Sequence, residues 1–83
     1  MIKTIRDLIA QHGRLPVDVA TLSDEQDLYA AGLTSFSAVQ MMLGLEEAFD
    51  IEFPERMLNR KTFSSIAAIA GAITEIAPSK AAA

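Results

Sequence analysis

Apolar residues recur at three- and four-residue spacings in three separate stretches, and this periodicity commits the chain to helices. The first set is Ile2, Ile5, Leu8 and Ile9. The second is Ala38, Met42, Leu45 and Phe49, with Val39 beside them. The third is Phe63, Ile66, Ile69 or Ala70, Ile73 and Ile76. Residues so spaced share one helix face, which must be buried against another element. The chain has 83 residues, room for a single domain. It contains no cysteine, so neither disulfides nor thiolate metal sites supplement the core. Apolar residues make up 51% of it, enough to build that core from helix faces. No stretch reads as a strand.

Punctuating residues divide the stretches. Gly13 is placed to stop the first helix, and Pro16 prevents its resumption. A long connector follows from about Leu15 to Thr34. Leu15, Val17, Val19, Leu22, Leu28 and Tyr29 are expected to pin it across the core, and loops of this length are often functional. The second helix is predicted from Ser35 to about Phe49. Gly44 interrupts it at a cost of about 1 kcal/mol relative to Ala, and a small residue there permits close approach of another helix. Phe53-Pro54-Glu55 reads as the start of a short third helix, with Pro54 at its first position and Met57 and Leu58 as apolar contacts. Thr62 is predicted to cap the fourth, and Pro78 to end it. The expected architecture is all-α: a small four-helix bundle of three long helices and one short, with a long loop between helices one and two. It spans residues 1–77, with a mobile tail over 78–83.

The formal net charge of −4 argues against nucleic acid, whose phosphates need clustered Lys and Arg. The one local basic cluster, Arg56, Arg60 and Lys61, reads as a partner-facing or solvated patch. No apolar run approaches the roughly 20 residues of a membrane span, and the N-terminus lacks signal-peptide character. A cytoplasmic location is therefore expected. Enzyme readings find no support in the residues. The single histidine, His12, reads as a helix-ending side chain, and a nucleophilic triad needs a base beside its nucleophile. Glu46, Glu47, Asp50 and Glu52 lack the alternating pattern of a calcium loop and read as a solvated face. The four glycines are isolated and form no phosphate loop.

There remains Gly32, followed three residues later by Ser35 at the mouth of the second helix. Unpaired N–H groups and a partial positive charge at a helix start favour a phosphate attached there. Thr34 can supply the capping oxygen if the Ser35 hydroxyl is esterified. The same two residues also make an ordinary Ser/Thr cap, so the local pattern alone leaves both readings open.

The wider stretch from Asp27 to Pro54 reads DLYAAGLTSFSAVQMMLGLEEAFDIEFP. It resembles the acyl carrier protein family of phosphopantetheine-binding domains, in which DLxxxGxDSL precedes a helix of the form xxVExxxxLEExFxIxIP. Leu45, Glu46, Glu47, Phe49, Ile51 and Pro54 carry much of the likeness. The resemblance implies that Ser35 receives 4'-phosphopantetheine from coenzyme A through a phosphopantetheinyl transferase. It also implies that the protein holds an acyl or aminoacyl group as a thioester and has no turnover of its own.

The departures point to a subclass. Thr34 stands where the family has Asp, and Phe36 where it commonly has Leu. Ser37 and Gln40 replace acids typical of fatty-acid carriers, and Arg56, Arg60 and Lys61 occupy a region that is acidic in them. GLTSF and LNRKTF look similar to small bacterial carriers aminoacylated by ligases related to seryl-tRNA synthetases. The alternatives are a fatty-acid, polyketide or nonribosomal-peptide carrier, or a helical adaptor without a prosthetic group. The implied partners are the transferase, a loading ligase and a downstream acceptor enzyme, meeting a monomeric carrier. The expected docking face comprises Leu33, Thr34, Phe36 and Leu43, with Arg56, Arg60 and Lys61 at its far end.

Overall fold

The structure is a computed structural model that describes residues 1–81; among them every regular element is helical. Helix α1 (Ile2–Leu8) continues as a π-helical turn, Ile9–Gly13. A 3₁₀ turn (Val19–Thr21) lies in the connector, and helix α2 runs Ser35–Phe49. A second 3₁₀ turn (Glu55–Met57) precedes α3 (Ile66–Ile76) and a last helical turn, α4 (Pro78–Ala81). Helix α1 packs against both α2 and α3. Ile5 of α1, Ile9 of the π turn, Leu28 of the connector, Met41 and Leu45 of α2, and Ile66, Ile69 and Ile73 of α3 are fully buried in the core.

Helix α2 is rotated from the predicted register. Its buried residues are Ser37, Ala38, Met41 and Leu45. Met42 and Phe49 are only half-buried, and Val39 is 50% exposed. The approach of α1 fixes that rotation. A β-carbon at Gly44 would come within 3.0 Å of His12 Cδ2 and 3.2 Å of Leu8 Cδ2. Positions 37, 41 and 44 share a face at helical spacing. The absent side chain at 44 therefore draws that face, with Met41, toward α1.

Helix ends also differ from expectation in instructive ways. Gly13 is the last residue of the π turn, and the left-handed residue is Arg14, at φ 53°. Gly13 is small for packing: a β-carbon there would meet Ile9 Cγ2 at 3.2 Å. The short third helix is a single 3₁₀ turn with Pro54 as its N-cap. Proline lacks the N–H that a cap leaves unused, so one position outside the turn suits it equally. The cap of α3 is Ser65, whose Oγ accepts from Ala68 N–H at 3.0 Å. Thr62 instead donates to Asn59 Oδ1. Phe63 lies in the turn before α3 and packs edge-on against Phe53, with ring centroids 5.3 Å apart. Helix α3 ends at Ile76, and Pro78 opens α4, so the expected tail begins with a helical turn; Ala82 and Ala83 lie outside the described residues.

The connector is fastened at both flanks. The Arg6 guanidinium donates to Val19 O (2.8 Å), Leu22 O (2.9 Å) and Asp24 Oδ1 (2.8 Å). Leu28 N–H donates to Ser64 O at 2.7 Å, and Ala67 N–H to Asp24 O at 2.8 Å. Val19, Leu22 and Leu28 are buried as anchors, whereas Val17 is exposed. Arg6 satisfies carbonyls that a structureless segment would leave without partners.

Candidate functional site

The end of the connector aims the start of α2. Asp27 Oδ1 accepts from Tyr29 N–H (2.9 Å) and Ala30 N–H (3.4 Å), an Asx turn that begins the reversal. Gly32 N–H then donates to Tyr29 O and Leu33 N–H to Leu28 O. Gly32 sits at φ 121°, and a β-carbon on it would lie 2.7 Å from Pro16 Cδ. Both facts require glycine. Leu33 follows and is buried, so it anchors the loop to the core and is no part of an exposed patch.

Thr34 and the two serines after it have separate tasks. Thr34 is the N-cap of α2: its Oγ1 accepts from Ser37 N–H at 3.1 Å and donates to Ser37 Oγ at 3.0 Å. Ser37 is only 3% exposed, held against that cap. Its hydroxyl thus partners Thr34 and does not reach solvent. Ser35, the first residue of α2, is exposed. Two neighbouring hydroxyls on one helical turn are thus distinguished by burial.

Ser35 stands on the wall of an open groove of about 340 Å³ between α2 and residues 58–63. Val39, Met42 and Leu58 supply apolar lining, and Tyr29 and Arg60 line it too. The Arg60 guanidinium carbon lies 4.1 Å above the centroid of the Tyr29 ring, an attractive cation–π placement. The Tyr29 phenol is raised above its ordinary value, chiefly by burial; the Arg60 charge opposes that rise and the Asp27 carboxylate adds to it. The direction fixes the pH dependence. An unfolded tyrosine ionises near pH ~10 while the folded one stays neutral. This contribution to stability is therefore constant below that pH and declines as pH rises above it. Arg60→Gln removes the opposing charge, so Tyr29 should ionise at still higher pH. Ultraviolet titration of this single tyrosine reads the change, and an unshifted or lowered midpoint would place Arg60 away from the ring.

Phe36 (66% exposed), Val39 and Leu43 fall at i, i+3 and i+7 on α2 and make an outward apolar stripe, with exposed Leu58 across the groove. The expected docking face contained Phe36 and Leu43 but omitted Val39 and Leu58. The same three-and-four spacing that finds a buried face was the available signal for Val39. The three basic residues differ in their surroundings. Arg56 pairs with Glu75 at 3.2 Å, Arg60 turns over Tyr29, and Lys61 is exposed. Among the acids, Glu46 is half-buried and accepts from Phe53 N–H at 2.9 Å, so it holds the α2 exit loop and is no solvated charge. Among the described residues no helix is long and apolar enough to cross a membrane.

Comparison with known proteins meets this geometry. Residues 3–73 match the family described as phosphopantetheine attachment site. The chain is 58% identical to the aminoacyl carrier protein of Agrobacterium fabrum, covering 100% of both sequences. It is 30% identical to aminoacyl carrier protein 1 of Bradyrhizobium diazoefficiens, covering 99% of this chain and 88% of that protein. Among solved structures it is similar to the Agrobacterium tumefaciens carrier protein crystallised in complex with an engineered Bradyrhizobium japonicum glycine:[carrier protein] ligase and AMP. That likeness has a TM-score of 0.88 at 59% identity and covers 89% of this chain and 99% of that one. A solution structure from Agrobacterium tumefaciens is similar with a TM-score of 0.76 at 58% identity over 100% of both chains. A match over most of its length, carried by a helical body that presents a serine at the start of α2, makes the chain a member of the acyl carrier protein family of phosphopantetheine-binding domains.

Proposed function

We propose that Ser35 is the residue that bears 4'-phosphopantetheine, and that the loaded arm carries an aminoacyl group between a loading ligase and an acceptor enzyme. The observation that carries this reading is the exposure of Ser35 at the first position of α2, beside an open groove, while Ser37 is buried under the cap. The residues fit the group. An exposed hydroxyl can be esterified, Thr34 keeps the helix capped without it, and the free amides of the first turn favour the anionic phosphodiester. When bound, the arm supplies a thiol on a long flexible chain, and separate enzymes supply the acid–base groups.

The aminoacyl cargo is supported by the likeness to the Agrobacterium and Bradyrhizobium aminoacyl carrier proteins. The neutral Ser37 and Gln40, where fatty-acid carriers have acids, agree with it. The architecture is read the same way, as an acyl-carrier bundle in which the Glu55–Met57 turn stands for a short third helix. The test is incubation with coenzyme A and a broad-specificity transferase, with peptide mapping of the product, then loading by a glycine:[carrier protein] ligase. Addition at any residue other than Ser35 would overturn the site, and failure of every amino acid to load would overturn the cargo.

Docking is expected on the stripe beside Ser35, because an enzyme handling the arm must approach its root. Phe36→Ala and Leu43→Ala should slow ligase loading while leaving the melting temperature little changed, since both side chains are already largely in water. Lys61→Glu should act through the association rate and its salt dependence. Loading kinetics at two salt concentrations read both effects. Wild-type rates in all three variants would move the docking face elsewhere.

A further inference from the structure

The Arg60 side chain is poorly explained as part of a partner-facing patch. Among the described residues it forms no ion pair, whereas Arg56 of the same segment is paired with Glu75. It lies over the face of Tyr29 and lines the groove that Ser35 also lines. The other polar side chain of that wall is occupied. Asn59 Nδ2 donates to Arg56 O at 3.0 Å, and its Oδ1 accepts from Thr62 N–H at 3.0 Å. Among the described residues the groove therefore holds an oriented cation without a counter-ion, in the same cavity that the exposed Ser35 lines.

We propose that Arg60, seated on Tyr29, binds the phosphodiester that joins the arm to Ser35 and so lays the first segment of the arm along the groove; the inference rests on Ser35 being the attachment residue. A phosphodiester carries a negative charge at all working pH values, and a guanidinium matches its oxygens with a planar fork of donors. The Tyr29 ring holds the guanidinium from below, so less side-chain freedom is lost when the fork engages. Past the phosphate the arm bears a gem-dimethyl carbon, and Val39, Met42 and Leu58 offer it apolar walls. The groove thus lines one cavity with both kinds of partner the arm needs, a cation for its phosphate and apolar side chains for its hydrocarbon. Arg60 is a positioning residue here, since the thiol at the far end does the carrying.

The experiment uses the modified protein with an isotopically labelled arm. Intact mass and mapping establish attachment; NMR establishes the seat. In the wild type, the arm methyls should give nuclear Overhauser contacts to the Val39 and Leu58 methyls. The phosphorus resonance should move with added sodium chloride as the pair is screened. In Arg60→Gln the contacts should be lost and the phosphorus resonance should stand at its high-salt position. Arg60→Lys, which keeps the charge without the fork, should recover them only in part. Attachment at Ser35 with no arm contacts in the wild type, or contacts unchanged in Arg60→Gln, overturns the seat and leaves the attachment intact. Absence of any mass gain at Ser35 overturns both. If the transferase rejects a variant, the wild-type contacts and their loss on salt titration decide the matter alone.

Discussion

Ser35→Ala is expected to abolish addition of the prosthetic group completely, with a melting temperature close to wild type. The hydroxyl is the only group at that position able to take the phosphodiester, and Ser37, two residues on, cannot replace it. Ser37 is buried, its N–H is given to Thr34 Oγ1, and its Oγ accepts from the same hydroxyl. Reaching a transferase would require the first turn of α2 to open. The stability cost falls the other way round. Ser37→Ala removes one buried hydrogen bond, worth about 1 kcal/mol, and should keep full modification. Thr34→Ala removes the cap at a similar cost of about 1 kcal/mol. Intact mass and thermal melts on the three variants separate attachment from support. Mass gain in Ser35→Ala, or its loss in Ser37→Ala with the fold intact, would assign the site to the wrong hydroxyl.

The largest stability loss is expected at Met41. It is fully buried on α2, so Met41→Ala should cost about 2–5 kcal/mol. That is a large share of the roughly 5–15 kcal/mol typical of a folded domain. Met42→Ala, one residue on and half-buried, should cost clearly less, as should Phe49→Ala. Chemical denaturation of the three variants ranks them. If Phe49→Ala proves worse than Met41→Ala, the rotation of α2 described above is wrong and the stripe through Ala38, Met42, Leu45 and Phe49 is the true core face.

That contrast also marks where the sequence was legible. The helical class, the extent of α2, the Thr34 cap and the pairing of Gly32 with a serine at a helix mouth all follow from local chemistry, and each is a short-range property. The face that α2 buries is not. Val39, Met41, Met42 and Leu43 surround the helix with apolar groups, so periodicity alone admits more than one rotation. A long-range contact, α1 at Gly44, selects among them. The α3 cap is ambiguous for a similar reason: Thr62, Ser64 and Ser65 are all capping types, and the burial of Ile66 selects Ser65. Leu33 reads as part of the docking face until the turn from Asp27 folds it inward. The Arg60 placement over Tyr29 joins residues about thirty positions apart, which no spacing rule anticipates.

The clasp formed by Arg6 has a consequence for how far the cargo travels. Residues 15–34, if loose, would let the start of α2, and with it the root of the arm, wander. The local concentration that a tethered group reaches at a partner falls roughly as the −3/2 power of tether length. With the connector tied to α1 through Val19, Leu22 and Asp24, and to the start of α3 through Ser64 and Ala67, the tether consists of the arm alone. The protein body then acts as a stiff mount on a short leash, and each docked enzyme meets the cargo undiluted.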